Sequence, residues 1–174
     1  MPRRTSKPPA VPARRARVGR TSAFDGALRY LARRAHSRAE LWRKLVRRGY
    51  AEDEVEDALA RLVDLGYLDD AGFAGGHVRR RSARLGPLAL SAELAARGVD
   101  REVARQAVDS LSREAQLSAA LRLVARQAGR NRPAGYKELL DSAGAKLLRR
   151  GFSAAIAREA CRAVWQGTGN RAEA

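Results

Sequence analysis

Nucleophilic or metal-assisted chemistry requires His, Cys and carboxylate groups that converge on one point. This chain is poor in them. It has two histidines, His36 and His77, in separate helical contexts, and a single cysteine, Cys161. The cysteine falls in the same repeating position as Leu59 and Val108, so we read it as a core residue rather than a thiolate nucleophile. There is no phosphate-cradling loop, and Gly75-Gly76 is too short for a nucleotide fingerprint. The carboxylates of Glu52-Asp53-Glu54 and Glu56-Asp57 crowd the start of a helix, where the macrodipole favours negative charge. We therefore expect no enzyme activity, no metal and no cofactor.

The residues left to do chemistry are arginines. Arg122, Arg126 and Arg130 recur every fourth residue, which puts the first two on one helix face, with Arg132 following in a loop. No acidic residue occurs between 115 and 137. Arg79, Arg80, Arg81 and Arg84 form a second group, also read as unpaired. The planar guanidinium fork suits phosphate or carboxylate oxygens, and phosphate contacts give sequence-independent, salt-sensitive affinity. Aromatic residues do not interleave these arginines, so stacking on single-strand bases is poorly supported. These eight arginines are the candidate sites for binding the phosphates of DNA.

The charge balance agrees. Lys and Arg number 35 against 19 Asp and Glu, a net charge of +16 in 174 residues, with a pI near 11.4. The surplus is unevenly spread. Residues 1–20 hold seven basic and no acidic groups, and residues 112–174 hold twelve against five, while the stretch between is nearly balanced. Such a distribution favours polyanionic partners. A single cysteine excludes an intramolecular disulfide framework and fits the cytoplasm. No apolar run is long enough to cross a membrane.

The elements that must position these arginines are helices. Hydrophobic residues reach 45% while aromatics are only 5%, so Ala and Leu must do most of the packing. Phe24, Ala27, Leu28 and Leu31 form one apolar stripe at helical spacing. Ser37 with Glu40 is a capping box that opens a second helix through Leu41, Trp42, Leu45 and Val46. Gly49 closes it, and a third helix carries Val55, Ala58, Leu59, Leu62 and Val63 to Gly66. The unit then repeats. Counted from Gly49, Gly98 and Gly151, Leu45, Leu94 and Leu147 stand four before, and Leu41, Leu90 and Ala143 eight before. Tyr50, Val99 and Phe152 stand one after, and Leu62, Leu111 and Val164 thirteen after. A register held three times indicates a repeated helical unit. Longer helices precede the second and third copies, one capped by Asp69 or Asp70 and running to about Arg84, the other capped by Ser112 and running to Gly129. The expected fold is all-α, an elongated or curved array of three tandem three-helix modules at 22–66, 67–111 and 112–167. A basic, Pro- and Arg-rich tail at 1–21 and the end at 168–174 read as disordered. We expect a monomer.

The motif Ser37-x-x-Glu40-Leu41-x-x-Lys44-Leu45-x-x-Arg48-Gly49-Tyr50, followed by Leu65-Gly66-Tyr67-Leu68-Asp69-Asp70-x-x-Phe73-Ala74, resembles the RecX family. Glu93-Leu94-x-x-Arg97-Gly98-Val99 and Arg149-Arg150-Gly151-Phe152 extend the resemblance over residues 23–166. It implies a regulator of the RecA recombinase, built of tandem three-helix modules. Such a protein docks along the RecA–DNA filament, contacts DNA, and limits ATP hydrolysis, strand exchange and the SOS coprotease. The tail at 1–20 is not part of the shared pattern. The alternative reading is a helix-turn-helix or non-specific DNA-binding protein that acts without RecA.

Overall fold

A computed structural model describes residues 21–169; of the tail at 1–21 and the end at 168–174 expected to be disordered, residues 1–20 and 170–174 lie outside them. The first module opens where Ser22 accepts the Asp25 N–H, starting α1 (Ala23–Leu31). α2 (Arg38–Arg47) and α3 (Glu52–Asp64) follow. α4 (Asp70–Arg81), α5 (Pro87–Ala96) and α6 (Arg101–Asp109) make the second module. The third comprises α7 (Arg113–Asn131), a rod made of α8 (Tyr136–Leu139), a π turn (Leu140–Gly144) and α9 (Ala145–Arg149), and finally α10 (Ala154–Gly169). The fold is all-α, and no strand occurs among the described residues.

The glycine register is a helix-ending motif. At Gly49, Gly98 and Gly151 the backbone turns left-handed, with φ of 84°, 75° and 81°. The next residue then donates its N–H to the carbonyl five positions back: Tyr50 to Leu45, Val99 to Leu94, Phe152 to Leu147. This satisfies carbonyls that the helix end would orphan and folds an apolar side chain back over the leucine. Leu45, Leu94 and Leu147 are all buried, as are Leu41, Leu90 and Ala143.

Three separate cores result. Leu41, Leu45, Val55, Leu59 and Leu62 centre the first, and Leu68, past the turn at Gly66, still packs into it. Phe73, Val78, Leu90, Leu94 and Val108 centre the second. Val124, Leu139, Leu147, Phe152, Ile156 and Cys161 centre the third. Each buried Leu or Phe contributes roughly 1.5–3 kcal/mol. Val63, expected in the first core, is instead 47% exposed on α3. α4 ends at Arg81 rather than near Arg84, α7 continues two residues past Gly129, and α10 carries its helix to Gly169.

The modules meet end to end. Ser37, the N-cap of α2, donates its hydroxyl to the Arg97 carbonyl (2.6 Å) at the C-terminal turn of α5. Gly86, the N-cap of α5, donates its N–H to the Arg150 carbonyl (2.8 Å) at the C-terminal turn of α9. Both are N-cap residues, and both bond the arginine before a left-handed glycine. A positive helix N-terminus thus meets a negative C-terminus at each joint. Glycine is required there by close approach: a Cβ on Gly98 would collide with Ala39, and one on Gly151 with the backbone of Ala89.

Candidate polyanion-binding cleft

Each joint leaves a cleft beside it. The first, of about 660 Å³, has Arg34 and Ala35 of the first module on one wall and Phe73, His77, Arg80, Arg81, Glu93 and Arg97 on the other. Three of its four arginines, Arg34, Arg81 and Arg97, are in ion pairs. Glu93 accepts two bonds from Arg81, Nη2 to Oε1 at 2.6 Å and Nε to Oε2 at 3.1 Å, and His77 Nε2 lies 2.7 Å from Oε2. The Arg81 guanidinium, aided by His77, holds the Glu93 carboxyl below the usual carboxylate range. Glu40 bridges Arg34 (3.0 Å) and Arg97 (2.6 Å), tying the modules together. Burial works against its charged form, but the two guanidiniums outweigh that and lower its pKa. The capping box is therefore only half formed. Ser37 Oγ accepts the Glu40 N–H (3.1 Å), while the Glu40 carboxylate is used across the joint.

The second cleft, of about 420 Å³, is likewise lined by four arginines, but it lacks the carboxylate that the first one holds. Arg84 comes from the loop before α5, Arg126, Gln127 and Arg130 from α7, and Lys146 and Arg150 from α9 and its end. Buried Val124, Ala143 and Leu147 form its floor. Lys146 stands five residues before Gly151, as Glu93 stands five before Gly98. Where Glu93 is held by His77, Lys146 donates to Gln127 Oε1 (2.9 Å). One substitution of ammonium for carboxylate removes the only acid from the cleft wall. Five cations line it with no carboxylate among the described residues, an arrangement that fits phosphate oxygens.

The eight predicted arginines divide accordingly. Arg84, Arg126 and Arg130, far apart in sequence, are brought to one cleft. Arg122 lies a turn before Arg126 and donates to Ser118 Oγ (2.7 Å). Arg132 ends α7 in a left-handed conformation, φ 42°, outside the cleft lining. Arg79 and Arg80 are exposed on α4, with Arg80 on the first cleft. Arg81 corrects the expectation of an unpaired group, since Glu93 on the neighbouring helix takes up its charge. Lys146 and Arg150 also line the cleft and are not among the eight; their fixed offsets from Gly151 are the sequence signal that points to them.

The other reactive side chains are accounted for by packing. His36 is buried, with Nδ1 against the Arg34 carbonyl (2.9 Å) and Nε2 against Lys44 Nζ (2.9 Å). Burial pushes the Cys161 thiol pKa up, away from the thiolate. Among the described residues no His, Cys, Asp and Glu cluster is arranged to hold a metal, and no helix is long and apolar enough to cross a membrane.

Comparison with known proteins places this architecture. A model of the first RecX three-helix domain matches residues 23–62, and a model of the second matches residues 69–108. A regulatory protein RecX of Thermus thermophilus is 41% identical over 142 residues, covering 82% of this chain and 92% of that protein. The chain belongs to the RecX family. The regulatory protein RecX of Stenotrophomonas maltophilia is 39% identical over 137 residues, 78% of this chain and 83% of its own. The crystal structure of RecX from Lactobacillus salivarius shares the fold with a TM-score of 0.76 at 24% identity, over 82% of this chain and 94% of that one. The RecX proteins it resembles are regulators by name.

Proposed function

We propose that this RecX-family protein binds the RecA–DNA filament and restrains RecA activities, namely ATP hydrolysis, strand exchange and the SOS coprotease, and so regulates recombinational repair in the cytoplasm. The observation that carries the DNA half of this reading is the acid-free cleft, whose five cations gather where two modules meet. The RecA half rests on family membership. Three modules joined end to end offer several contacts to a long, repetitive partner, and weak contacts along one chain act together through effective concentration. Arg122 extends the cleft along α7, and Arg79, Arg80 and Arg132 lie outside it as further contact candidates. A monomer needs no partner copy to present this surface.

The test is ATP hydrolysis by RecA on a saturating single strand, titrated with this protein. Inhibition below one protein per RecA, retained when free duplex is added, is the expected result. The double variant Arg126→Glu, Lys146→Glu should weaken inhibition more than removal of residues 1–20. Inhibition only at amounts that coat the strand, relieved by free duplex, would instead support a DNA-binding protein that acts without RecA.

A further inference from the structure

The second cleft differs from a track that follows a duplex. Its cations do not lie along one face. They converge from three places, the loop before α5, helix α7 and the end of α9, over a buried apolar floor. Its volume of about 420 Å³ falls in the range of small-molecule sites, which is roughly 300–1,000 Å³, and is far too small for a double helix. Five positive groups held together without a counter-charge repel one another, so a compact polyanion entering the cleft relieves that repulsion. The first cleft is the built-in contrast. It has the same place beside a joint and the same preceding arginine, but Glu93 with Arg81 and His77 neutralises its centre.

We propose that the second cleft is a pocket for an oligophosphate group, the chemistry shared by the triphosphate of a free nucleotide and a short run of phosphates in a single strand. Arg84, Arg126, Arg130 and Arg150 supply planar forks to non-bridging oxygens. Lys146, held by Gln127, supplies a point charge at the centre. No aromatic residue lines the cleft, so a nucleobase finds no stacking platform. Selectivity therefore follows phosphate number and ignores the base. A free nucleoside triphosphate and a strand compete for the same groups, which makes the nucleotide pool a regulator of strand binding. This deepens the DNA half of the filament reading, which rests on the same cleft, and needs nothing of its RecA half.

The experiment uses the full chain, alone, in magnesium-free buffer at fixed ionic strength. Sodium tripolyphosphate, pyrophosphate, phosphate, ATP, GTP and adenosine are titrated calorimetrically. Saturable one-to-one binding is expected, tightening about tenfold with each added phosphate, equal for ATP and GTP and absent for adenosine. Lys146→Glu recreates the charge of the first cleft and should weaken tripolyphosphate at least about tenfold. Arg162→Glu, an exposed position on α10 with the same change in net charge, should leave binding intact. Lys146→Gln, which removes the charge without introducing an acid, should fall between. A melting temperature raised by tripolyphosphate in the parent and not in Lys146→Glu is the second readout. Equal weakening by Arg162→Glu, a clear preference between ATP and GTP, or no saturable binding by the parent overturns the proposal. If an oligonucleotide binds and tripolyphosphate neither binds nor competes, the pocket fails while the filament reading stands. If tripolyphosphate binds and RecA is unaffected, the filament reading fails alone.

Discussion

His36 is 3% exposed and faces the ammonium of Lys44. The neutral ring fits this setting, with Nδ1–H donating to the Arg34 carbonyl and the Nε2 lone pair accepting from Lys44. Burial lowers the His36 pKa below 6.5, and the charges of Arg34 and Lys44 lower it further, outweighing the carbonyl and Glu40. The unfolded chain therefore takes up this proton before the folded one does. Stability from His36 is complete above pH 6.5 and declines as pH falls through the depressed folded value,. We predict that, between about pH 7.5 and about pH 5.5, the parent loses more unfolding free energy in denaturant than His36→Gln does. Equal losses would show that the ring does not titrate against folding. Sequence identified His36 as solitary and non-catalytic, but its partners lie on the helix that follows and in the turn beside it, and only folding brings them to the ring.

Among the elements, the left-handed glycines carry unequal burdens. Gly66 has φ 72° and open space around its missing Cβ. Gly66→Ala should therefore cost only the backbone strain, about 1 kcal/mol. Gly151 has φ 81° and the backbone of Ala89 against it, so Gly151→Ala adds a collision at the joint and should cost about 3 kcal/mol or more,. Denaturant midpoints of the two variants make the comparison; similar costs would mean the joint yields easily. Ser37→Ala should likewise cost more than Ser112→Ala, which loses about 1 kcal/mol of capping, because Ser37 also bonds across to Arg97. Helices, caps and core register were legible in the sequence because they are local and periodic. The joints were not. The partner of Ser37 is Arg97 and that of Gly86 is Arg150, and no local pattern pairs an N-cap with a turn some sixty residues on.

At the scale of the whole molecule, the sequence surplus of charge becomes a located one. The first joint absorbs Arg34, Arg81 and Arg97 into ion pairs, while the second gathers five cations in a cleft lined by no carboxylate. Arg84, Arg126 and Arg130 are legible in the sequence as separate basic groups, but the loop before α5 and helix α7 come to one cleft only in three dimensions. On a single-stranded oligonucleotide, the slope of log affinity against log salt should fall by about 0.7 for Lys146→Gln and stay unchanged for Arg162→Gln. Equal slopes for both would move the contact elsewhere. The joints also have a grammatical consequence. The first and second modules present a cap, and the second and third an arginine–glycine socket, in the same order at both joints, so the modules read like words that concatenate in one direction. A second copy of residues 67–111 spliced after the first would find a cap for its socket and a socket for its cap, giving a longer protein with the joints repeated.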